Sequence, residues 1–187
     1  YAHLGRTAEA AAHWRKAVQL DPSLSVAWRN LGLYAWAEEN DLPKAGEFYR
    51  KAIEARPKDQ TLYRDLAEIL LSQGRRAEAI KLLESTPPDK LRRADVIILL
   101  AQSYLDEKRY DETIDLLEST PYFVNWEGQT ITWDLYHKAH MARGRIRFDG
   151  QDFAGALADF EAALTYPENI GVGRSNKPQE AAAQYWK

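Results

Sequence analysis

Apolar residues recur along this chain with the spacing of amphipathic α-helices. Within residues 25–57, one apolar stripe covers residues 28–35 and a second covers residues 45–52, before Pro57 ends the run. Gly32 lies on the first stripe and Ala45 on the second, and small residues at such positions allow two helix backbones to approach closely. The pattern therefore predicts a helical hairpin with a short turn between its two helices.

The hairpin pattern recurs along the chain. The hexapeptide Leu-Leu-Glu-Ser-Thr-Pro at residues 82–87 returns unchanged at residues 116–121, which is 34 residues later. Small residues of the second helix follow one another at intervals of 35, 34, 34 and 43 residues, at Ala10, Ala45, Ala79, Thr113 and Ala156. The last interval indicates an insertion. Because one hairpin leaves an apolar face uncovered, repeated hairpins are expected to stack.

The repeat resembles the tetratricopeptide repeat family, which has a period of about 34 residues and a pattern of Trp, Leu, Gly, Tyr, then Ala, Phe and Pro. The second unit carries this pattern at Trp28, Leu31, Gly32, Ala45, Tyr49, Ala52 and Pro57. The resemblance implies an all-α fold, a right-handed α-α superhelix of about five helical hairpins that is truncated at both ends. We expect a single domain with repeats over residues 1–24 (partial), 25–59, 60–88, 89–121 and 129–167, followed over residues 168–187 by a loop and the start of a further helix.

The fifth repeat departs from the pattern in its first half. Its second helix keeps the pattern over residues 153–163, but the register of its first helix stays open. A loop that carries Trp126 is predicted over residues 122–130, and a helix longer than the family norm is predicted over residues 132–149.

The two ends of the sequence suggest a piece of a longer polypeptide. Tyr1 reads as part of the last turn of a helix, and residues 180–187 read as a helix that stops after two turns. The run at residues 166–174 resembles the closing segment of repeat arrays in large bacterial proteins that carry an uncharacterised, β-rich domain ahead of the array. This resemblance implies the C-terminal array of a bacterial multidomain protein with a link to carbohydrate metabolism.

In the family that this chain resembles, the first helix of each repeat lines a concave groove that binds the ligand. The resemblance places ten residues of this chain in that groove: Val26, Arg29, Leu33, Trp36, Arg64, Glu68, Leu71, Ile98, Gln102 and Leu105. This mixture suits an extended peptide or an amphipathic helix with an apolar anchor, and Arg29 and Arg64 are expected to accept a carboxylate. Trp36 is the expected hot spot. Leu33 stands where chaperone-binding members have asparagine, which argues against chaperone tails as ligands.

Composition and charge narrow the classes of function. The chain has 25 basic and 28 acidic residues, and its net charge of −3 is spread along the sequence without the basic stripe that nucleic-acid binding needs. It has no cysteine, which excludes disulfides and thiolate chemistry. No apolar run approaches the roughly 18 residues of a membrane span. We therefore expect a cytoplasmic protein without nucleic-acid partner, membrane partner or bound cofactor.

Two short motifs suggest chemistry, and each has a simpler structural interpretation. His137 and His140 are three residues apart on one predicted helix, as paired metal ligands are, but no third ligand is evident and hydrogen-bonded or solvated histidine is much commoner. Gly171 and Gly173 would suit an anion, but no strand precedes them, so a loop between repeats is favoured. We predict no metal site and no catalytic residue.

The leading hypothesis is a protein–protein interaction scaffold, not an enzyme. It would bind a peptide or a partner domain, including another domain of the same polypeptide, in its concave groove. The alternative is a helical accessory or dimerisation domain of a larger, carbohydrate-active bacterial enzyme. A hydrolase in the fifth repeat that depends on His137 or His140 is a remote third hypothesis. Apolar residues at the ends of the array, such as Tyr185 and Trp186, also favour self-association.

Overall fold

The computed structural model describes residues 6–87, 93–124, 129–174 and 180–187. These residues form ten α-helices and a short 3₁₀ helix over Glu168–Ile170, with no strand among them. The α-helices are α1 (Thr7–Leu20), α2 (Ser25–Ala37), α3 (Leu42–Ala55), α4 (Gln60–Ser72), α5 (Arg76–Glu84), α6 (Ala94–Asp106), α7 (Tyr110–Ser119), α8 (Ile131–Asp149), α9 (Phe153–Ala162) and α10 (Ala181–Trp186). The predicted all-α fold is confirmed.

The helices gather into two compact units, residues 1–96 and residues 97–187, and the boundary falls inside α6. In the first unit α1 packs on α2, α2 on α3, α3 on α4 and α4 on α5. In the second unit α7 packs on α8 and α8 on α9. Packing between successive helices is characteristic of helical repeats, in which each hairpin covers the next. The assignment of the whole chain to one domain of five repeats stays a prediction.

The hairpin of α2 and α3 shows how the repeat pattern sets the packing. A Cβ atom on Gly32 would lie 2.8 Å from Cε2 of Tyr49, so the absence of a side chain at Gly32 lets the Tyr49 ring lie directly against α2. Asn40 makes the turn between the helices with a φ of 52°. The Asp41 side chain then caps α3 by accepting a hydrogen bond of 3.0 Å from the backbone N–H of Lys44.

Apolar side chains of α1 and α2 form a core cluster in the first unit. Its buried members are Ala11, Val18, Ala27 and Leu31, and partly buried aromatic residues pack against them. One of these, Trp28, stacks on Phe48 of α3 with 5.8 Å between ring centroids, and its Nε1 donates to the backbone oxygen of Pro22. Burial of a leucine-sized side chain stabilises a fold by roughly 1.5–3 kcal/mol, so a few such residues hold each hairpin to its neighbour.

Gly144 sets the register of α8 against α9 in the second unit. A Cβ atom on Gly144 would lie 2.7 Å from Cε1 of Phe160, which repeats the relation between Gly32 and Tyr49. Gly144 on α8 therefore has the same relation to Phe160 of α9 that Gly32 on α2 has to Tyr49 of α3, and this contact gives the register of α8 against α9. The long helix expected over residues 132–149 is present as α8, Ile131–Asp149.

The extra N-terminal turns of α8 pack against the segment that follows α9. The indole of Trp133 lies parallel to the ring of Tyr166, with 4.8 Å between centroids, and Trp133 Nε1 donates to the backbone oxygen of Thr165 at 2.9 Å. This packing gives a physical reason for the length of α8. The loop predicted over residues 122–130 is non-helical where the structure describes it, and Trp126 lies outside the described residues.

Candidate interaction face of the first unit

The predicted groove residues of the second and third repeats lie on α2 and α4, within the first unit. Residues 26, 29, 33 and 36 are spaced by three or four along α2 and share one side of that helix. Residues 64, 68 and 71 have the same relation along α4. We call these seven residues the α2–α4 face: Val26, Arg29, Leu33, Trp36, Arg64, Glu68 and Leu71.

The α2 part of this face is largely apolar and open to solvent. Val26 is 61% exposed and Leu33 is 51% exposed, although both are large aliphatic side chains. Trp36 and Leu71 are half-buried. Exposed apolar side chains are common singly, but a row of them along one helix is typical of a surface that another polypeptide covers.

An ion pair joins the two helices across the face. Arg29 Nε on α2 donates to Asp65 Oδ2 on α4 at 2.7 Å, and the Asp65 side chain is only 8% exposed. This hydrogen bond, together with the charge of Asp65, raises the pKa of Arg29 above its ordinary value. Burial, strengthened by the negative charge of Asp65, raises the pKa of Tyr49 to about 12. The Arg29–Asp65 pair therefore fixes one edge of the apolar row to the neighbouring repeat.

Arg64 is the centre of a second group of charges on α4. Its Nη2 donates to Glu68 Oε1 at 2.7 Å, and its Nη1 lies 3.5 Å from Asp65 Oδ1. Its Nε lies 3.9 Å from Asp95 Oδ2 at the start of α6. Burial alone would raise the pKa of Asp95, but the hydrogen bond from Arg93 and the charges of Arg93 and Arg64 lower it. The carboxylates of Asp65, Glu68 and Asp95 are therefore each paired with an arginine of the chain itself.

These pairs change the role expected for the two arginines. From the sequence, Arg29 and Arg64 were expected to accept a carboxylate of the ligand, whereas in the structure both contact carboxylates of the chain itself. Asp65 is the residue that sequence reasoning missed. The available signal was the position of this aspartate, 36 residues after Arg29 and therefore about one repeat period later.

The remaining predicted groove residues lie on the part of α6 that belongs to the second unit. Ile98 and Leu105 are half-buried, and Gln102 Nε2 donates to Asp106 Oδ1 one turn later at 2.7 Å. Their exposure is lower than that of Val26 and Leu33. The α2–α4 face is consequently the better-defined part of the predicted groove.

The histidines of α8 take structural hydrogen bonds. His137 Nδ1 lies 2.8 Å from the backbone oxygen of Ala163, and His140 Nδ1 lies 2.8 Å from Asp159 Oδ1. The described residues hold no group of three or more His, Asp or Glu that could bind a metal ion. Gly171 has a φ of 69° and ends the 3₁₀ helix, which accounts for one of the two glycines in that loop.

The family description "Tetratricopeptide repeat" matches residues 1–60 and again residues 37–96, so the two matches together span about half of the sequence. The chain belongs to the tetratricopeptide repeat family. Its repeat signature, all-α fold and helix-crossing glycines agree with that membership. Tetratricopeptide repeats support a general role as protein–protein interaction scaffolds, and such scaffolds are typically non-catalytic.

Solved structures of other tetratricopeptide repeat proteins share this fold. YrrB, described as a TPR protein with an unusual peptide-binding site, aligns with 98% of this chain and 84% of its own, at 17% identity and a TM-score of 0.60. MamA aligns over 87% of this chain and 83% of its own, at 17% identity and a TM-score of 0.55. Pseudomonas aeruginosa pilF aligns over 94% and 73%, at 20% identity and a TM-score of 0.54.

Among the residues that the structure describes, none belongs to a helix with the length and apolar character of a membrane span. Even α8, with 19 residues, carries charged side chains along its length.

Proposed function

We propose that this chain is a non-catalytic scaffold whose α2–α4 face binds a peptide segment of a partner protein. The observation that carries the proposal is the row of solvent-exposed apolar side chains on α2, led by Val26 and Leu33 and continued by the half-buried Trp36. Covering this row would remove apolar surface from water, and the aromatic ring of Trp36 is the type of side chain that dominates binding energy at interfaces.

The rigidity of the face supports the same proposal. The Arg29–Asp65 pair connects α2 to α4, and the Gly32–Tyr49 contact locks α2 on α3, so the exposed row is held on a preformed support. A preformed surface loses little conformational entropy when a ligand binds. YrrB, a solved relative in fold, is described as having a peptide-binding site, which is consistent with a peptide as the ligand.

A display selection tests the proposal without knowledge of the natural partner. A random peptide library is selected on the 187-residue chain, and the enriched peptides are then measured against Trp36→Ala, Leu33→Asp and Leu20→Asp variants. Leu20 is 79% exposed at the end of α1 and lies outside the α2–α4 face, so Leu20→Asp controls for the introduced charge. We expect enriched peptides that lose at least about tenfold in affinity with the first two variants only. Selection without any enriched peptide, or peptides indifferent to Leu33→Asp, would refute the proposal.

A role as a dimerisation domain is a second proposal, favoured by the aromatic surface of the second unit. Phe153 is 59% exposed, Tyr185 is 82% exposed, and Phe148 contacts the ring of Trp186 with 5.4 Å between centroids. Sedimentation equilibrium over a range of concentrations tests it. A dimer that Phe153→Ser dissociates supports this role, and a monomer at every concentration excludes it.

A further inference from the structure

Charge pairing on the α2–α4 face restricts the chemistry of the ligand that the face binds, if it binds a peptide as in the proposed function on which this inference rests. We infer that the face selects a peptide segment that is apolar and close to electrical neutrality, and that it excludes acidic segments. Such a face differs from a groove whose unpaired basic residues bind the carboxylates of the ligand.

The first support is that arginines near the face pair with carboxylates of the chain itself. Three arginines where α2, α4 and the start of α6 meet, Arg29, Arg64 and Arg93, are matched by three carboxylates of the chain itself, those of Asp65, Glu68 and Asp95. Every one of these arginines has a carboxylate oxygen within 3.0 Å. The charged residues of the face itself, Arg29, Arg64 and Glu68, are therefore compensated within the chain and give it little charge to steer a ligand.

The second support is that an acidic ligand would compete with carboxylates of the chain itself for the arginines of the face. An acidic ligand gains a contact with Arg64 only by displacing or approaching Glu68, which already accepts a hydrogen bond of 2.7 Å from Arg64 Nη2. Its carboxylate would also lie close to the carboxylate of Asp65, and two carboxylates at short range repel. The positive charges of Arg29 and Arg64 would repel a basic ligand in the same way. The charged residues that belong to the face are thus already matched within the chain.

The third support is the position of the exposed apolar residues. Val26 and Leu33 are seven residues apart on α2, which places them about 10 Å apart along the helix axis at a rise of roughly 1.5 Å per residue. Arg29 lies between them and is turned toward Asp65. Apolar side chains of a ligand can therefore contact Val26 and Leu33 on either side of an arginine whose charge is already compensated.

The test uses the peptide that the display selection enriches most strongly. Its polar positions are replaced by glutamine, by glutamate or by lysine, and the dissociation constants of the three forms are measured for the full chain at low and high salt. We expect the glutamine form to bind at least about tenfold more tightly than either charged form, with an affinity that changes by less than about threefold with salt. An enriched family of acidic peptides with strong salt dependence would overturn the inference while leaving the proposed function intact. If no peptide depends on Leu33, the proposed function fails and the inference fails with it.

A gain of binding provides an independent check. Glu68→Gln removes the carboxylate that occupies Arg64, so the glutamate form of the peptide is expected to bind severalfold more tightly to this variant than to the unmodified chain. Glu47→Gln removes a carboxylate of the same type from an exposed position on α3, outside the face, and is expected to change nothing. Equal affinity of the acidic peptide for the unmodified chain and for Glu68→Gln contradicts the inference. Because Glu68 is half-buried on the helix surface, this substitution is expected to leave the fold intact.

Discussion

His140 Nδ1 lies 2.8 Å from Asp159 Oδ1 in the fifth repeat, at the place where the second repeat stacks Trp28 on Phe48. His140 stands four residues before Gly144, just as Trp28 stands four residues before Gly32. Their partners correspond in the same way, because Asp159 and Phe48 each stand one residue before the aromatic residue that packs against the glycine. A buried hydrogen-bonded pair has therefore replaced an aromatic stack. The stability of the second unit should consequently depend on the protonation of His140, a contribution that an aromatic stack such as Trp28 on Phe48 does not make.

The pH dependence of stability follows from the burial of His140. Burial lowers the pKa of His140 below its usual value, and the hydrogen bond and charge of Asp159 oppose that effect only in part. The unfolded chain then binds a proton more readily than the folded chain, so the free energy of unfolding falls as pH drops below about 6.5. Between about pH 7.5 and about pH 5.5 we expect a loss of at most about 1.4 kcal/mol from this residue. Denaturant unfolding at the two pH values measures it.

The control for this prediction removes the titrating group. His140→Gln cannot take up a proton in that range, so this contribution should disappear, whereas His13→Gln on α1 should preserve it. The groups that face His140 are Glu118 of α7, with Oε1 3.7 Å from Nε2, Asp159 of α9, and Tyr136 and Arg143 of α8. The same acid-induced loss in the unmodified chain and in His140→Gln would show that another group is responsible.

Two aspartates that bind the same arginine should differ greatly in their effect on stability. Asp159 is 2% exposed and accepts hydrogen bonds from Arg143 and His140, and Arg147 Nη1 lies 2.9 Å away. Its removal leaves Arg143 and Arg147 without their buried carboxylate and His140 Nδ1 without its hydrogen-bond partner, so Asp159→Ala is expected to lower the free energy of unfolding by about 3–5 kcal/mol. Asp111 also lies 2.7 Å from Arg143, but its side chain is 72% exposed, and Asp111→Ala should cost less than about 1 kcal/mol. Similar losses measured by denaturant titration for both variants would contradict this assignment.

The crossing glycines should tolerate a methyl group poorly. Gly32→Ala and Gly144→Ala would each place a Cβ atom within 3.0 Å of an aromatic ring, and the required shift is expected to cost about 1–3 kcal/mol. Gly46 provides the matched control, because a Cβ there would lie 3.6 Å from the nearest atom, the flexible end of Arg50. Gly46→Ala should be neutral or stabilise the helix by up to about 1 kcal/mol. Thermal unfolding of the three variants compares them, and equal effects would exclude the steric explanation.

The sequence predicted the regular parts of this fold and lost accuracy where polar residues replaced the repeat signature. Trp28, Gly32 and Tyr49 follow the family pattern, so the second hairpin was predictable from spacing alone. In the fifth repeat the signature tryptophan is replaced by His140, which hid the register of α8. The spacing between Gly144 and the second-helix residues that follow it would have revealed that register.

The α2–α4 face shows a second limit of sequence reasoning. Helical spacing groups Val26, Leu33 and Trp36 on one side of α2, because this relation depends only on the period of the helix. The partner of Arg29 depends on how two hairpins are placed in space, and Asp65 could not be assigned to it from periodicity. Local patterns thus predicted the positions of Arg29 and Arg64 but not their pairing with carboxylates of the chain.

The α2–α4 face is the surface that we propose for ligand binding. Its most direct test is the dissociation constant of the selected peptide for Leu33→Asp compared with that for Leu20→Asp, measured by calorimetry on the full chain. We predict an affinity at least about tenfold weaker for Leu33→Asp and unchanged for Leu20→Asp. Equal affinity of the two variants for the peptide would contradict the claim.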